Sequence, residues 1–217
     1  MNFPHAPESA RAGLNRLILL DPDFSAIEAA AGPLPWRRRA DGFPGLLQAI
    51  VGQMISSQAA GAIWSRLSAL PGALDPAGLL ALPEADLRAA DLSRPKVVHA
   101  RDLAEAFARG RLSAASIAGM DDAAAIAAIT AVRGMGPWSA EIYLLFALGR
   151  DDVFPAGDIA VAGACAALKG LAMRPDPVAL RLLAEPWRPW RSLAARLLWH
   201  HWRHITGRPA IDDLPTP

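Results

Sequence analysis

The run AAIAAITAVRGMGPWSAEIYLLF, residues 124–146, constrains this chain more than any other stretch. Sequence rich in alanine, isoleucine and leucine on both sides favours helix, and only Arg133 to Gly136 separates the two halves. Helices joined so closely need a turn that reverses within a few residues, and Gly134 and Gly136 permit such backbone conformations. Pro137 suits the first position of the second helix, because the N–H it lacks would have no partner there. The second helix therefore opens with bare amides at its positive end, an arrangement that binds phosphate. The amides of Gly134, Met135 and Gly136 are the expected contacts. A hairpin that grips phosphate through backbone alone holds DNA without reading its sequence. The plain structural alternative is a helical connection closed by glycine.

The rest of the chain points to the same all-α class. A length of 217 residues suits one compact domain or two small lobes with a real core. Apolar residues make up 53% of it, yet the β-branched and aromatic residues that mark strands are sparse. Phe43, Leu46, Leu47, Ile50, Val51, Met54 and Ile55 recur at helical spacing and predict one helix with an apolar stripe through Ile55. Ser93 is a candidate cap for a helix to about Ala108, and Asp121 or Asp122 for one reaching Val132. Asp158 opens a helix to about Lys169, since aspartate is a favoured N-cap. The last long helix carries Trp190, Leu193, Ala194, Leu197 and Leu198 on one face.

No apolar run reaches the roughly 18 residues of a membrane span. Cys165 is the single cysteine, so a four-cysteine iron–sulfur cluster and an internal disulfide are excluded, and a reducing, cytoplasmic setting is expected. The net charge of +1 carries no message, but its distribution does. Six arginines against one glutamate lie between Arg181 and Arg208, and WRRR at 36–39 forms a second basic cluster. Such patches serve a phosphate backbone or form an ordinary solvated face. Of the 22 basic residues, Lys96 and Lys169 alone are lysine.

VRGMGPWSAEIYLLF resembles the hairpin of the helix-hairpin-helix DNA glycosylases, and within that superfamily the DNA-3-methyladenine glycosylase II branch. The resemblance extends from about Leu17 to Trp202. FPGLLQAIVGQMISSQAA is similar to the first long helix of that family, with its Gly-Gln-x-x-Ser element at Gly52, Gln53 and Ser56. DVFPAGDIAV resembles the segment ending in the catalytic aspartate, and WRPWRSLAARLLW the closing helix. The fold implied is two helical lobes with the active site in the cleft between them. Lobe A would take about residues 1–42 and 150–217, and lobe B about 43–149, with the helix-hairpin-helix at 122–148.

The same resemblance implies roles. Asp158 would be the catalytic carboxylate, a role compatible with capping a helix. Met54, with Gln53 beside it, would be the wedge that fills the gap left by a flipped nucleotide; the alternative for Met54 is a core position on the helix stripe. Trp138, Tyr143 and Trp199 would line the base pocket, where indoles attract a cationic alkylated purine. Ser56 and Arg191 join the hairpin as phosphate contacts. Carbonyls of Thr130, Val132 and Gly134 would hold a sodium or potassium ion, with no other cofactor.

Departures matter as well. The extra β-rich N-terminal domain of larger relatives is not expected within these 217 residues, and the cysteine cluster of the endonuclease III branch is missing from them. Lyase-competent relatives carry a lysine after the proline of the hairpin, as a Schiff-base nucleophile; here that residue is Trp138. The expectation is therefore a monomeric, monofunctional glycosylase of base excision repair. It would act on double-stranded DNA containing alkylated purines, at the nucleoid and without a membrane partner. The rivals are a non-catalytic DNA-binding protein and a glycosylase for oxidised or deaminated bases.

Overall fold

The computed structural model describes residues 6–208. Among these residues there is no strand and no helix long and apolar enough to cross a membrane. In chain order the helices are α1 (Glu8–Leu20), α2 (Ser25–Ala31), α3 (Gly42–Gly52), α4 (Ser57–Ser68), α5 (Pro76–Ala81), α6 (Glu84–Ala89), α7 (Arg94–Ala108), α8 (Ala114–Ala118), α9 (Asp122–Thr130), α10 (Pro137–Phe146), α11 (Ile159–Leu168), α12 (Pro177–Ala184) and α13 (Arg191–Thr206). They fall into two compact units. Described residues up to Arg38 and from Gly149 onward form the first, and Arg39–Leu148 the second.

The first unit is organised by α13, which packs on α1, α2 and α11. Leu193, Ala194, Leu197 and Leu198 are buried along it, as their spacing predicts. Its contact with α11 is close because Gly163 has no side chain. A Cβ there would fall 2.5 Å from the Trp202 ring. Trp187 fills the other end of this core, edge-on to Phe24 at 5.1 Å and to Phe154 at 5.7 Å. Its Nε1 donates to the buried Asp21 carboxylate at 2.7 Å, which also takes Lys169 Nζ. One of the two lysines is thereby committed to the frame of this unit. Arg196 is internal too, its guanidinium lying 4.3 Å from the Trp36 ring centroid.

The second unit is built around α3, in which every residue except Pro44 is buried. Its neighbours are α4, α7, α8 and α10. Fully burying a Leu, Ile or Val contributes about 1.5–3 kcal/mol each, and Leu46, Leu47, Ile50 and Val51 all sit at 0% exposure. The hydroxyl of Tyr143 on α10 accepts from the first amide of α3, Gly42 N, at 2.8 Å. Arg39 of the basic cluster is buried, its guanidinium 5.2 Å from the Phe146 ring centroid.

The predicted stripe through Ile55 is too long. Helix α3 ends at Gly52, Gln53 leaves in extended geometry and Met54 turns at φ 57°. Met54 is 100% exposed and Ile55 39%. Their helical spacing is a coincidence of a chain that changes direction, and the core alternative for Met54 falls with it. Helix α9 likewise stops at Thr130 and not Val132.

Gly163→Ala tests the α11–α13 contact. Alanine gains about 1 kcal/mol of helix propensity, but overpacking typically costs about 1–3 kcal/mol. The expected outcome is a lower Tm, recovered by adding Trp202→Phe. An unchanged or raised Tm in Gly163→Ala alone would mean the ring moves aside freely.

Candidate active site

Asp158 is the N-cap of α11 and only 8% exposed. Its Oδ1 accepts from Ala160 N at 2.9 Å, Val161 N at 3.0 Å and Trp199 Nε1 at 3.2 Å. Two of these donors come from the helix start and the third from α13. Three donors converging on one oxygen fix the plane of the carboxylate, at the end of a helix whose dipole favours negative charge. The residues on either side, Gly157 and Ile159, are exposed, so the buried carboxylate sits one residue from the surface of its unit.

The approach to Asp158 is stitched down. Ser192 N donates to Asp151 O at 3.0 Å, and Ser192 Oγ exchanges bonds of 2.9 Å with the amide and carbonyl of Val153. Arg191 clamps Asp152 through Nε at 2.7 Å and Nη2 at 3.0 Å, and reaches Glu185 at 3.0 Å. Phe154, Pro155 and Ala156 then run buried into the cap. Arg191 is therefore a structural clamp. With its guanidinium occupied on both sides and its side chain 14% exposed, it does not serve as the phosphate contact expected from sequence.

In the second unit the hairpin forms as its glycines and proline predict, with Pro137 at the first position of α10. The two glycines do different work. Gly134 has φ +85°, and a Cβ there would strike the His99 ring at 2.1 Å, so folding itself demands glycine. Gly136 has φ −97°, which any residue adopts, and a Cβ on it would meet nothing within 4 Å. No side chain caps α10, and the amides of Gly134, Gly136 and Ser139 have no acceptor among the described residues. The Met135 amide differs from them. It donates to Val132 O at 3.0 Å, and the Met135 side chain is buried, so this residue drops out of the expected phosphate set.

The aromatic trio is corrected too. Tyr143 and Trp199 are 1% and 0% exposed, and neither presents a ring face to a base. Tyr143 instead satisfies the start of α3, and burial raises its pKa above the ordinary tyrosine value, the Gly42 bond opposing and Asp41 adding to the rise. Trp199 orients Asp158. Trp138 remains partly exposed at the start of α10. Gln53 does not stand beside Met54 as a second wedge. Its amide turns back to the hairpin, donating to Gly134 O and Ser139 Oγ at 2.9 Å each. Ser56 is exposed and caps α4 through Ala59 N at 3.2 Å.

Sequence reasoning missed Ser139, His99, Lys96 and Ser192, whose partners lie far along the chain. Lys96 Nζ donates to Val51 O at 2.7 Å near the end of α3, and burial lowers its pKa below the ordinary lysine value. As for a cation, Val132 O accepts Met135 N and Gly134 O accepts Gln53, while the Thr130 hydroxyl turns back to Ile126 O. A carbonyl oxygen has two lone pairs, so the bonds to Met135 N and Gln53 leave Val132 O and Gly134 O each able to accept once more.

Comparison with known proteins agrees with this geometry. A family model described as the HhH-GPD superfamily of base excision DNA repair proteins matches residues 47–189. A probable bifunctional transcriptional activator/DNA repair enzyme AlkA of Mycobacterium tuberculosis is 32% identical over 90% of this chain and 43% of its own length. DNA-3-methyladenine glycosylase 1 of Schizosaccharomyces pombe is 29% identical over 71% of this chain and 69% of its own. The chain spans less than half the length of the first curated relatives it matches, 40% of one and 43% of another. Among solved structures, the 3-methyladenine DNA glycosylase of S. pombe in complex with abasic DNA superposes with a TM-score of 0.81 at 25% identity, covering 88% of this chain and 95% of that one. A DNA-3-methyladenine glycosidase from Bacillus halodurans gives 0.75 at 28% identity, covering 90% of each chain. A hairpin with open amides, a carboxylate capping the helix that follows it, and a family match that embraces both lead to one conclusion: the chain belongs to the HhH-GPD superfamily of base excision DNA repair proteins.

Proposed function

We propose that this protein is a monofunctional DNA glycosylase, which flips alkylated purines such as 3-methyladenine and 7-methylguanine out of double-stranded DNA and hydrolyses the N-glycosidic bond. The observation that carries the reading is Asp158, whose carboxylate is held by two amides and the Trp199 indole. Capping needs the amides alone. The indole adds orientation, which a reacting carboxylate requires. Bond cleavage gives the sugar oxocarbenium character, as in glycoside hydrolysis. A fixed carboxylate stabilises that charge and takes the proton of the attacking water. Alkylation at N3 or N7 makes the base a cationic leaving group, so its departure needs no acid from the protein.

The hairpin would take a phosphate on the amides of Gly134 and Gly136, with the exposed Ser56 hydroxyl as a further donor. Met54, fully exposed, would enter the stack behind the flipped nucleotide. Flipping costs a few kcal/mol, less at a damaged base, which favours lesions. Trp138 offers the aromatic face for a cationic purine. A sodium or potassium ion on the carbonyls of Thr130, Val132 and Gly134 would supply positive charge beside the phosphate. The reading has the protein acting as a monomer in the cytoplasm, at the nucleoid.

Base release from a panel of lesion duplexes, scored by mass, tests the reading. Asp158→Asn should reduce release at least a hundredfold while abasic-site binding persists, in keeping with the large share of electrostatic stabilisation in catalysis. Trp199→Phe keeps a buried ring but removes the indole donor, and should cost roughly tenfold in rate with little change in binding. Near-wild-type release by Asp158→Asn would remove it from the chemistry.

The hairpin generates a second expectation. Because a Cβ on Gly136 meets open space, Gly136→Val should fold with a normal Tm and yet bind every duplex more weakly, by a similar factor whatever the sequence. A loss confined to particular sequences would indicate base reading.

A third concerns the sugar. Trp138 stands at the lysine position, Lys169 is held by Asp21 and Asp23, and Lys96 is bonded to a carbonyl. Borohydride should therefore trap no covalent adduct with lesion or abasic DNA. A trapped adduct mapped to either lysine would show lyase chemistry.

A further inference from the structure

Gln53 sits between two features to which function assigns separate tasks. It is the C-cap of α3 and the direct neighbour of Met54, and its side-chain Nε2 is bonded twice to the hairpin. Nε2 donates to Gly134 O and to Ser139 Oγ, both at 2.9 Å, across 81 and 86 residues of sequence. Helix α7 braces the same place twice. Lys96 Nζ holds Val51 O at 2.7 Å, and the His99 ring lies against Gly134 so closely that a Cβ would sit 2.1 Å from it. The turn carrying Met54 and the hairpin with open amides are thus one braced body within their unit.

Met54 itself is held where an L-residue resists going. Its φ of 57° is left-handed, and its side chain is 100% exposed. Such a conformation persists where the surroundings over-determine it. The bonds from Gln53 are the direct restraint, since they tie the preceding residue to the hairpin twice through its Nε2.

We propose that Gln53 is a positioning residue that couples phosphate capture by the hairpin to base extrusion by Met54, an inference that rests on the reading of Met54 as the wedge. With the amide in place, docking of a phosphate at the hairpin sets the wedge at a defined height and angle. Without it the hairpin still docks, but the turn relaxes and Met54 enters the stack less often. Gln53 touches no reacting atom in this scheme and acts through Met54 alone.

The test is a double-mutant cycle with Gln53→Met, which keeps length and packing but has no N–H donor, and Met54→Ala. Single-turnover release of 7-methylguanine at saturating protein is read beside affinity for undamaged duplex and the fluorescence of 2-aminopurine next to the lesion. Gln53→Met should slow release about tenfold and reduce the fluorescence rise, while undamaged-duplex affinity stays within about twofold. The double variant should be no slower than Met54→Ala alone within about twofold, because coupled residues are not additive. Multiplied losses in the double variant overturn the proposal, as does a parallel fall in undamaged-duplex affinity. Wild-type release by Met54→Ala defeats the wedge reading itself, a result distinguishable from failure of the coupling. Should Gln53→Met fold poorly, Ser139→Ala removes one of the two acceptors, and a smaller loss that is again absent from the Met54→Ala background is expected. Additivity there overturns the proposal equally.

Discussion

Every α-helix begins with amides that have no partner inside the helix, and the way this protein distributes acceptors among its helix starts governs both its fold and its chemistry. Side chains of Ser56, Asp75, Ser113, Asp121 and Asp176 close the starts of α4, α5, α8, α9 and α12. Tyr143 closes α3 from a hundred residues away. At α11 the same need is met by Asp158, and there the cap is also the carboxylate to which hydrolysis is assigned. At α10 no side chain meets the need, as at α1, α2, α6, α13 and α7, where Ser93 makes no capping bond, and the hairpin's open turn there suits a phosphate. Replacing an Asp or Ser cap by a neutral side chain costs about 0.5–2 kcal/mol, so leaving α10 open is a standing cost on the free protein, and DNA can return it.

How much of this was readable from sequence follows from the range of each interaction. The hairpin, Pro137 at its helix start and Asp158 at its cap are local, decided by residues within a few positions of one another, and periodicity and turn chemistry find them. Trp199, Tyr143, Gln53 and Arg191 were named from the sequence but given the wrong work. Each takes its role from a partner 39 to 101 residues away, Asp152 for Arg191 and Gly42 for Tyr143 at the extremes. An aromatic ring on a helix face looks the same in sequence whether it lines a pocket or ties a cap. The overrun of α3 has a different origin. Apolar spacing continues through Ile55 while the backbone turns away at Gln53, directly after Gly52, and the positive φ falls on Met54, a residue type that does not mark a turn.

The two lysines show how commitment elsewhere shapes a site. Lys169 sits between Asp21 and Asp23 and shares Asp21 with Trp187. Burial pulls its pKa down, but its bonds to the two carboxylates outweigh this and raise it. An amine so held is protonated and unreactive toward a sugar aldehyde. Lys96 is pulled the other way by burial, yet its Nζ closes the end of α3 beneath the wedge turn. Water is then the nucleophile that remains for the proposed reaction, and a water nucleophile needs a carboxylate beside it more than it needs an amine.

On the proposed reaction, the burial of Tyr143 and Trp199 would shift the weight of lesion selection. Had three aromatic faces enclosed the base, stacking of about 0.5–2 kcal/mol per cationic contact would have dominated the choice among bases. With Trp138 as the one partly exposed ring of the three, the choice falls more heavily on two properties of the damaged nucleotide. One is how readily it leaves the stack, which the proposed wedge turn would sense. The other is how readily the base departs from the sugar, which a lone oriented carboxylate leaves to the base. Both favour a purine that alkylation has made cationic. Neither would demand a shaped pocket, and under the proposed function an undamaged purine would fail on both counts at once.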